Sequence, residues 1–197
     1  MSPAAESEIC HGLEHDWLLG KHYDDGYYYA EKQKVVEKFK PPYSIIQNDL
    51  YWALPSSFKA GANLIVYITS PVSFNRFEIN LYDSTKDDLP PNPPGSKPVM
   101  YHLYFRTDGD YAGVDTYTPG GGWQNIGLTT KPSPVQSGIT YNITLESHTE
   151  FIRTIIDGIP YFDLPHVTPP VNAATLRIHC STTTPLLVHN ITMNGIV

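Results

Sequence analysis

From Ser44 onward the apolar residues fall in short runs, most at every second position, and each run is closed by Gly, Pro, Asn or Asp. That period of two, rich in β-branched and aromatic residues, is the pattern of half-buried strands. It predicts strands over Leu50–Leu54, Leu64–Thr69, Arg76–Tyr82, Val99–Arg106, Tyr111–Tyr117, Trp123–Leu128, Tyr141–Ser147, Phe151–Ile156, Ile159–Leu164, Ala174–His179 and Leu186–Met193. Tyr141, Ile143 and Leu145 point one way along their strand, and Asn142, Thr144 and Glu146 the other. Asp157-Gly158 joins two of the runs and is a two-residue hairpin signal, because a type I′ turn needs positive φ at both central positions. No helical period appears after residue 44, so the fold class is all-β, an antiparallel β-sandwich.

Two stretches break the rhythm. Residues 1–43 are richer in charge and carry a tyrosine cluster at Tyr27-Tyr28-Tyr29 with Trp17, Val35, Val36 and Phe39. They read as an N-terminal extension to a sandwich over 44–197, docked across a sheet face or completing an edge strand, because that much apolar surface is costly to leave in water. Docking of that kind shields an edge and makes a monomer the expected state, not an edge-paired dimer. The second stretch, Asp83 to Pro98, is a proline-rich connection that lacks the amide donors of a ladder and reads as an exposed loop.

Composition narrows the function. A net charge of −7 without a basic patch removes nucleic acid from the candidate partners. No segment approaches the roughly 20 apolar residues of a membrane span, so no membrane insertion is expected. The first residues lack the basic and apolar regions of a secretory leader, which leaves a cytosolic chain or a trimmed secreted one. Two Asn-Ile-Thr sequons, at Asn142 and Asn190, sit on strands with outward polar residues and are acceptors only in a secreted chain. Cys10 and Cys180 are either a disulfide or two thiols. Cys10, His11, His15 and His22 have partial metal-ligand spacing, but Gly12 and Gly20 weaken the helix that spacing requires; no metal and no cofactor are assigned.

The strongest chemical signal is Thr118-Pro-Gly-Gly-Gly-Trp-Gln-Asn125. An indole presented beyond a flexible turn offers a flat apolar platform to a sugar ring, whose axial C–H groups pack on the π-cloud while its hydroxyls stay wet. A Trp near such a turn is equally compatible with a core or rim residue.

The order of features after Tyr43 resembles the galectin family. Tyr51 to Tyr67 is similar to that family's opening strand and the entry to its second; Arg76-Phe-Glu-Ile-Asn-Leu-Tyr82 is similar to its Phe-x-Ile-Asn-Leu strand. Tyr101-His-Leu-Tyr-Phe-Arg-Thr-Asp108 occupies the place of Leu-His-Phe-Asn-Pro-Arg, Gly120-Gly-Gly-Trp123 that of the turn and Trp, and Ile155 to Phe162 that of the Val-Asn-Gly hairpin. The resemblance spans roughly residues 44–197 and implies a jelly-roll sandwich that binds β-galactosides through a His, an Asn and an Arg on one strand, an Asn on the next, the Trp, and a Glu and an Arg beyond it. Laid on this chain residue by residue, the His falls at Tyr104, the Asn at Arg106 and the Arg at Asp108. The second Asn falls at Thr116 or, with a one-residue slip, at Asp115; the Glu falls at Ile126 and the second Arg at Leu128. Only Trp123 is kept, so the usual galactose mode, and with it lactose binding, is expected to be weak or absent.

Three functions fit these residues. The first is a non-catalytic lectin with a rebuilt site for a glycan or glycoprotein, formed by Tyr104, Arg106, Asp108, Asp115, Trp123 and Asn125. The second is a protein-interaction module using the tyrosine segment and the proline loop. The third is a glycoside hydrolase, which requires two carboxylates across one groove about 5–5.5 Å or 6.5–9.5 Å apart, with Asp108 and Asp115 as the candidates. Cys180 and His179 do not form a nucleophile and base, because neighbouring strand residues face opposite ways.

Overall fold

A computed structural model describes residues 28–29, 43–45, 48–85, 97–124, 131–167, 172–181 and 184–194. Within them the chain forms two antiparallel sheets packed face to face, as the alternating pattern requires of strands with one apolar side.

The first sheet has eight strands. β1 (Tyr28–Tyr29), β3 (Asn48–Ala53), β13 (Thr175–Cys180), β5 (Arg76–Tyr82), β6 (Val99–Arg106), β7 (Tyr111–Thr118) and β8 (Gly122–Trp123) lie side by side in that order, and β9 (Lys131–Pro132) also pairs with β7. The second sheet runs β12 (Ile159–Pro165), β11 (Phe151–Ile156), β10 (Thr140–Ser147), β4 (Asn63–Thr69), β14 (Leu186–Asn194) and β2 (Tyr43–Ile45). Strands distant in sequence are therefore neighbours: β13 inserts between β3 and β5, and β14 between β4 and β2.

The core lies between the inner faces. Leu50, Trp52, Phe77, Ile79, Leu103, Phe105, Leu176 and Ile178 of the first sheet meet Leu64, Val66, Ile68, Ile143, Leu145, Ile152 and Phe162 of the second, all buried. The Phe77 and Phe105 rings stack at 4.7 Å across the β5–β6 pair. A polar bond crosses the core between the Tyr101 and Thr154 hydroxyls, so the hydroxyl that Tyr101 brings inside is matched. Cys180 is buried in the same core, and Cys10 lies outside the described residues.

Asp157 and Gly158 form the β11–β12 turn with φ of 49° and 80°, and Ile156 pairs directly with Ile159 across it. Asp157 also accepts a hydrogen bond from the Asn142 amide at 2.8 Å, which ties the turn to β10. Most of the proline-rich connection lies outside the described residues, as do the histidines of the N-terminal segment. Of the tyrosine cluster, Tyr28 and Tyr29 form a short ladder on β3 opposite Trp52 and Tyr51.

Candidate functional site

The inner face of the first sheet is apolar, so alternation sends its polar residues to the outer face, where register sorts them into rows. One row crosses five strands: Tyr51, Arg177, Asn80, His102 and Asp115. The next contains Asp49, His179, Glu78, Tyr104 and Gly113. Trp123 stands at the β8 end of this face.

The turn that carries Trp123 is built from its glycines. Gly120 and Gly122 take φ of 80° and 73°, a conformation that costs a residue with a Cβ, and the Gly121 amide donates to the Thr118 carbonyl. Gln124 closes the turn from the other side: its amide donates to the Thr116 carbonyl, and its side chain donates to Thr118 Oγ1 and the Gly122 carbonyl. The indole is 38% exposed. It rests on His102 at 4.6 Å between ring centroids, with Tyr117 edge-on at 5.4 Å.

His102 is wholly committed. Arg76 Nη2 donates to its Nε2 at 2.8 Å, and because a guanidinium can only donate, the ring hydrogen sits on Nδ1 and is given to Asn80 Oδ1. Burial pushes the imidazole down to about 3, with Arg76 and Arg177 acting the same way and Glu78 opposing them, so the ring is neutral at physiological pH. It therefore serves as a flat, uncharged support for the indole.

From His102 the rings continue to Tyr104 on β6 and Tyr111 on β7. Tyr104 lies 5.1 Å from His102 and 6.1 Å from Tyr111, with the Arg76 guanidinium 5.1 Å from its centroid. Tyr104 lies across β7 at Gly113, where a Cβ would collide with the phenol. Arg106 reaches over Tyr111 at 5.6 Å and forms a two-pronged pair with Asp108. That pair holds the Asp108 carboxyl below its usual range.

In the other direction, toward β3, the face becomes charged. Arg177 Nη2 bonds Asp49 at 2.7 Å, His179 Nδ1 meets the same carboxylate at 2.7 Å, and the Tyr51 hydroxyl donates to it at 2.9 Å. Burial would raise the Asp49 carboxyl, but these bonds and the Arg177 charge bring it to about 2. Glu78 is shared among Arg76 at 2.7 Å, Asn80 at 3.3 Å and Arg177 at 3.9 Å. Burial would raise Glu78 too, and the positive groups around it hold it below its ordinary value.

Of the residues singled out in the sequence, the structure gathers Trp123, Tyr104 and Asp115 on one face. Asp115 is buried opposite His102 and accepts the Thr116 amide at 2.8 Å. Arg106 and Asp108 stand at the far end of that face, and Asn125, Ile126 and Leu128 lie outside the described residues. Asp108 and Asp115 do not face each other across a groove. Asp115 is four residues beyond Tyr111, the partner of Arg106, or about 13 Å along the strand, and Asp108 lies beyond Arg106 in the turn. His102, Arg76, Asn80 and Glu78, which no motif in the sequence marks as site residues, lie on the same face. His102, two residues before Tyr104 on the same strand, is the ring that lies beside Trp123.

No protein-family model matches the chain, and no curated protein matches it in sequence. Solved structures do match. Caenorhabditis elegans galectin LEC-6 aligns with a TM-score of 0.59 at 19% identity, covering 89% of this chain and all of that one (100%). A point variant of human galectin-16 aligns at 0.60 with 14% identity over 80% of this chain and 98% of its own. Sheep galectin-11 in complex with glycerol aligns at 0.58 with 8% identity over 80% of this chain and 100% of its own. Two sheets in this order, with a Trp-bearing turn at the end of the polar face, give the chain the fold of the galectins.

Proposed function

We propose that the outer face of the eight-stranded sheet is a non-catalytic glycan-binding surface, with Trp123 as its platform and Tyr104 on β6 and Tyr111 on β7 continuing it. The observation that carries this reading is the strip of rings from Trp123 through His102 and Tyr104 to Tyr111. Such a strip suits several linked sugars, because each pyranose offers an apolar face to a ring and hydroxyls to the polar groups beside it. Arg106, half-buried, and Asp108, exposed, supply a donor and an acceptor at the strip's end.

We further propose that the family's His, Asn and Arg correspond to His102, Tyr104 and Arg106, and its second Asn to Asp115, a register supported by the ring contact of His102 with Trp123 and its pairing with Asp115. The galactose mode is still disfavoured. Both nitrogens of His102 are engaged within the protein, and the Tyr104 ring fills space that an asparagine would leave to the ligand. A glycan array comparing the wild type with Trp123→Ala tests the proposal: hits that disappear with the indole support it. Blanks on the array together with a co-purifying protein would favour the interaction module instead. Calorimetry with lactose should give no saturable heat.

We take residues 1–43 as an extension that covers the β3 edge, supported by the Tyr28–Tyr29 ladder, which leaves the chain monomeric. Deleting residues 1–43 should lower the melting temperature or change the mass in solution. If both stay the same, the segment is a tail.

A further inference from the structure

The two sequons of the chain lie side by side on the opposite surface of the molecule. Asn142 on β10 and Asn190 on β14 both pair with Tyr67 on β4, one from each side. Thr144 and Thr192, the third residues of the two sequons, both pair with Ile65 in the next row. β10 and β14 are each antiparallel to β4, so the two Asn-Ile-Thr triplets run in the same direction about a shared central strand. Ile143 and Ile191 between them are buried in the core, which turns both asparagines outward, and Asn142 and Asn190 are exposed. At about 4.8 Å per strand spacing, their backbones stand about 10 Å apart.

Tyr67 between them is 45% exposed, an aromatic ring flanked on its own strand by Ile65 and Thr69. Its ring leans on His189 at 5.2 Å, and His189 Nε2 is fixed to Thr69 Oγ1 at 2.7 Å, which in turn meets Thr140 Oγ1 at 2.6 Å. The ring is thus held in place directly between two acceptors. Thr144 Oγ1 donates to Asn142 Oδ1 at 3.4 Å, so the amide oxygen is the atom engaged within the sequon and Nδ2 is the one left to carry a sugar.

We propose that Asn142 and Asn190 are a paired N-glycosylation site and that Tyr67 packs against the innermost sugar. The donor is a lipid-pyrophosphate-linked oligosaccharide. Asparagine Nδ2 attacks the anomeric carbon, the C–N bond forms as the C–O bond to phosphate breaks, the lipid pyrophosphate leaves, and the amide proton passes to a base of the transferring enzyme. Each asparagine is a cross-strand neighbour of Tyr67, within the about 4.5–5.5 Å Cβ separation that lets a ring reach its partner. The two glycans would cover the outer face of the six-stranded sheet and leave the Trp123 face, on the other sheet, open.

The test is to express the full chain behind an added leader in a eukaryotic secretory host, then measure intact mass before and after an amidase that removes N-glycans. Two glycans are expected, one lost in Asn142→Gln and the other in Asn190→Gln. If the chain is retained in the cell, the same digestion of the microsomal fraction reads occupancy. A mass unchanged by the amidase, or occupancy of one asparagine only, overturns the paired site. Trimming each glycan to its first sugar should leave the melting temperature in place, and complete removal should lower it by about 2–4 °C. Tyr67→Ser should abolish that difference; if it persists, the packing on Tyr67 is wrong.

Discussion

Two Arg–Asp pairs on the two sheets share one chemistry and differ in surroundings. Arg177 bonds Asp49 at 2.7 Å with side chains 9% and 14% exposed; Arg153 bonds Asp163 at 2.8 Å, with both prongs engaged and side chains 33% and 50% exposed. The distances barely differ, so the difference in worth comes from water. In the first pair each charge has lost most of its hydration and depends on the other, on His179 and on Glu78. In the second, either charge can return to solvent if its partner is removed. The comparison shows that the outer face of the first sheet is built around buried ions, whereas that of the second is an ordinary wet surface.

The sharpest way to break this contrast is Arg177→Ala. It strips the counter-charge from Asp49 and weakens the hold on Glu78, both mostly buried, and removal of one partner from such a pair costs about 3–5 kcal/mol. A urea midpoint close to the wild type would mean that water reaches this network and that the burial argument fails. Replacement by Met together with Asp49→Leu should recover much of the loss, since an apolar pair of similar volume needs no compensation.

Acid should expose the same face next. His102 sits at about 3 in the folded chain against an ordinary 6.5, so between those values the unfolded state binds more protons and stability falls as the pH is lowered. Asp49, at about 2 against 3.8, adds stability above 3.8 that is lost as the pH drops further toward 2. Both act in one direction: stability is full above pH 6.5 and declines below it, by on the order of a few kcal/mol before the carboxylates titrate. His102→Gln should flatten the limb between pH 6.5 and 4 in urea titrations. An unchanged limb would place the decline elsewhere in the chain.

The strands were largely legible because each carries its own period: Arg76–Tyr82, Val99–Arg106 and Phe151–Ile156 have the bounds that alternation gives them. Tyr28–Tyr29, Tyr43–Ile45 and Lys131–Pro132 were not, since two or three residues hold no period and are strands only through the neighbour they pair with. The site divides along the same line. The turn that carries Trp123 was legible from its glycines, a local signal. The Asp49–Arg177–Glu78 network was not, because it exists only once β13 is placed between β3 and β5. His102 and Tyr104 are also hard to tell apart in the sequence, because a slip of two residues keeps every side chain on its own face. Only the cross-strand register to Asp115 and the ring contact with Trp123 separate them.

A smaller effect tests local geometry apart from charge. Gly158 sits at φ 80° with open space around it, so Gly158→Val meets no steric neighbour and its whole cost is backbone strain. More than about 1 kcal/mol is expected, because a β-branched residue cannot adopt that conformation freely. A neutral urea midpoint would mean that the turn relaxes to another type.

The smallest effect belongs to the exposed pair, and it completes the comparison. Arg153 and Asp163 face each other across β11 and β12 with both prongs of the guanidinium engaged, which is good geometry for a surface ion pair. Solvent nevertheless screens it, and holding two long side chains together consumes much of what the contact contributes. Arg153 also lies over the Phe151 ring at 5.3 Å, so truncation removes some packing along with the charge. Arg153→Ala should therefore shift the urea midpoint less than Gly158→Val does, and Arg153→Met, which keeps the stem, less still. Raising the salt concentration should erase whatever difference separates Met from the wild type, while leaving the Arg177→Ala deficit nearly intact. If both arginine variants respond to salt alike, the two faces are equally wet, and the distinction between a buried-ion face and an ordinary surface is lost.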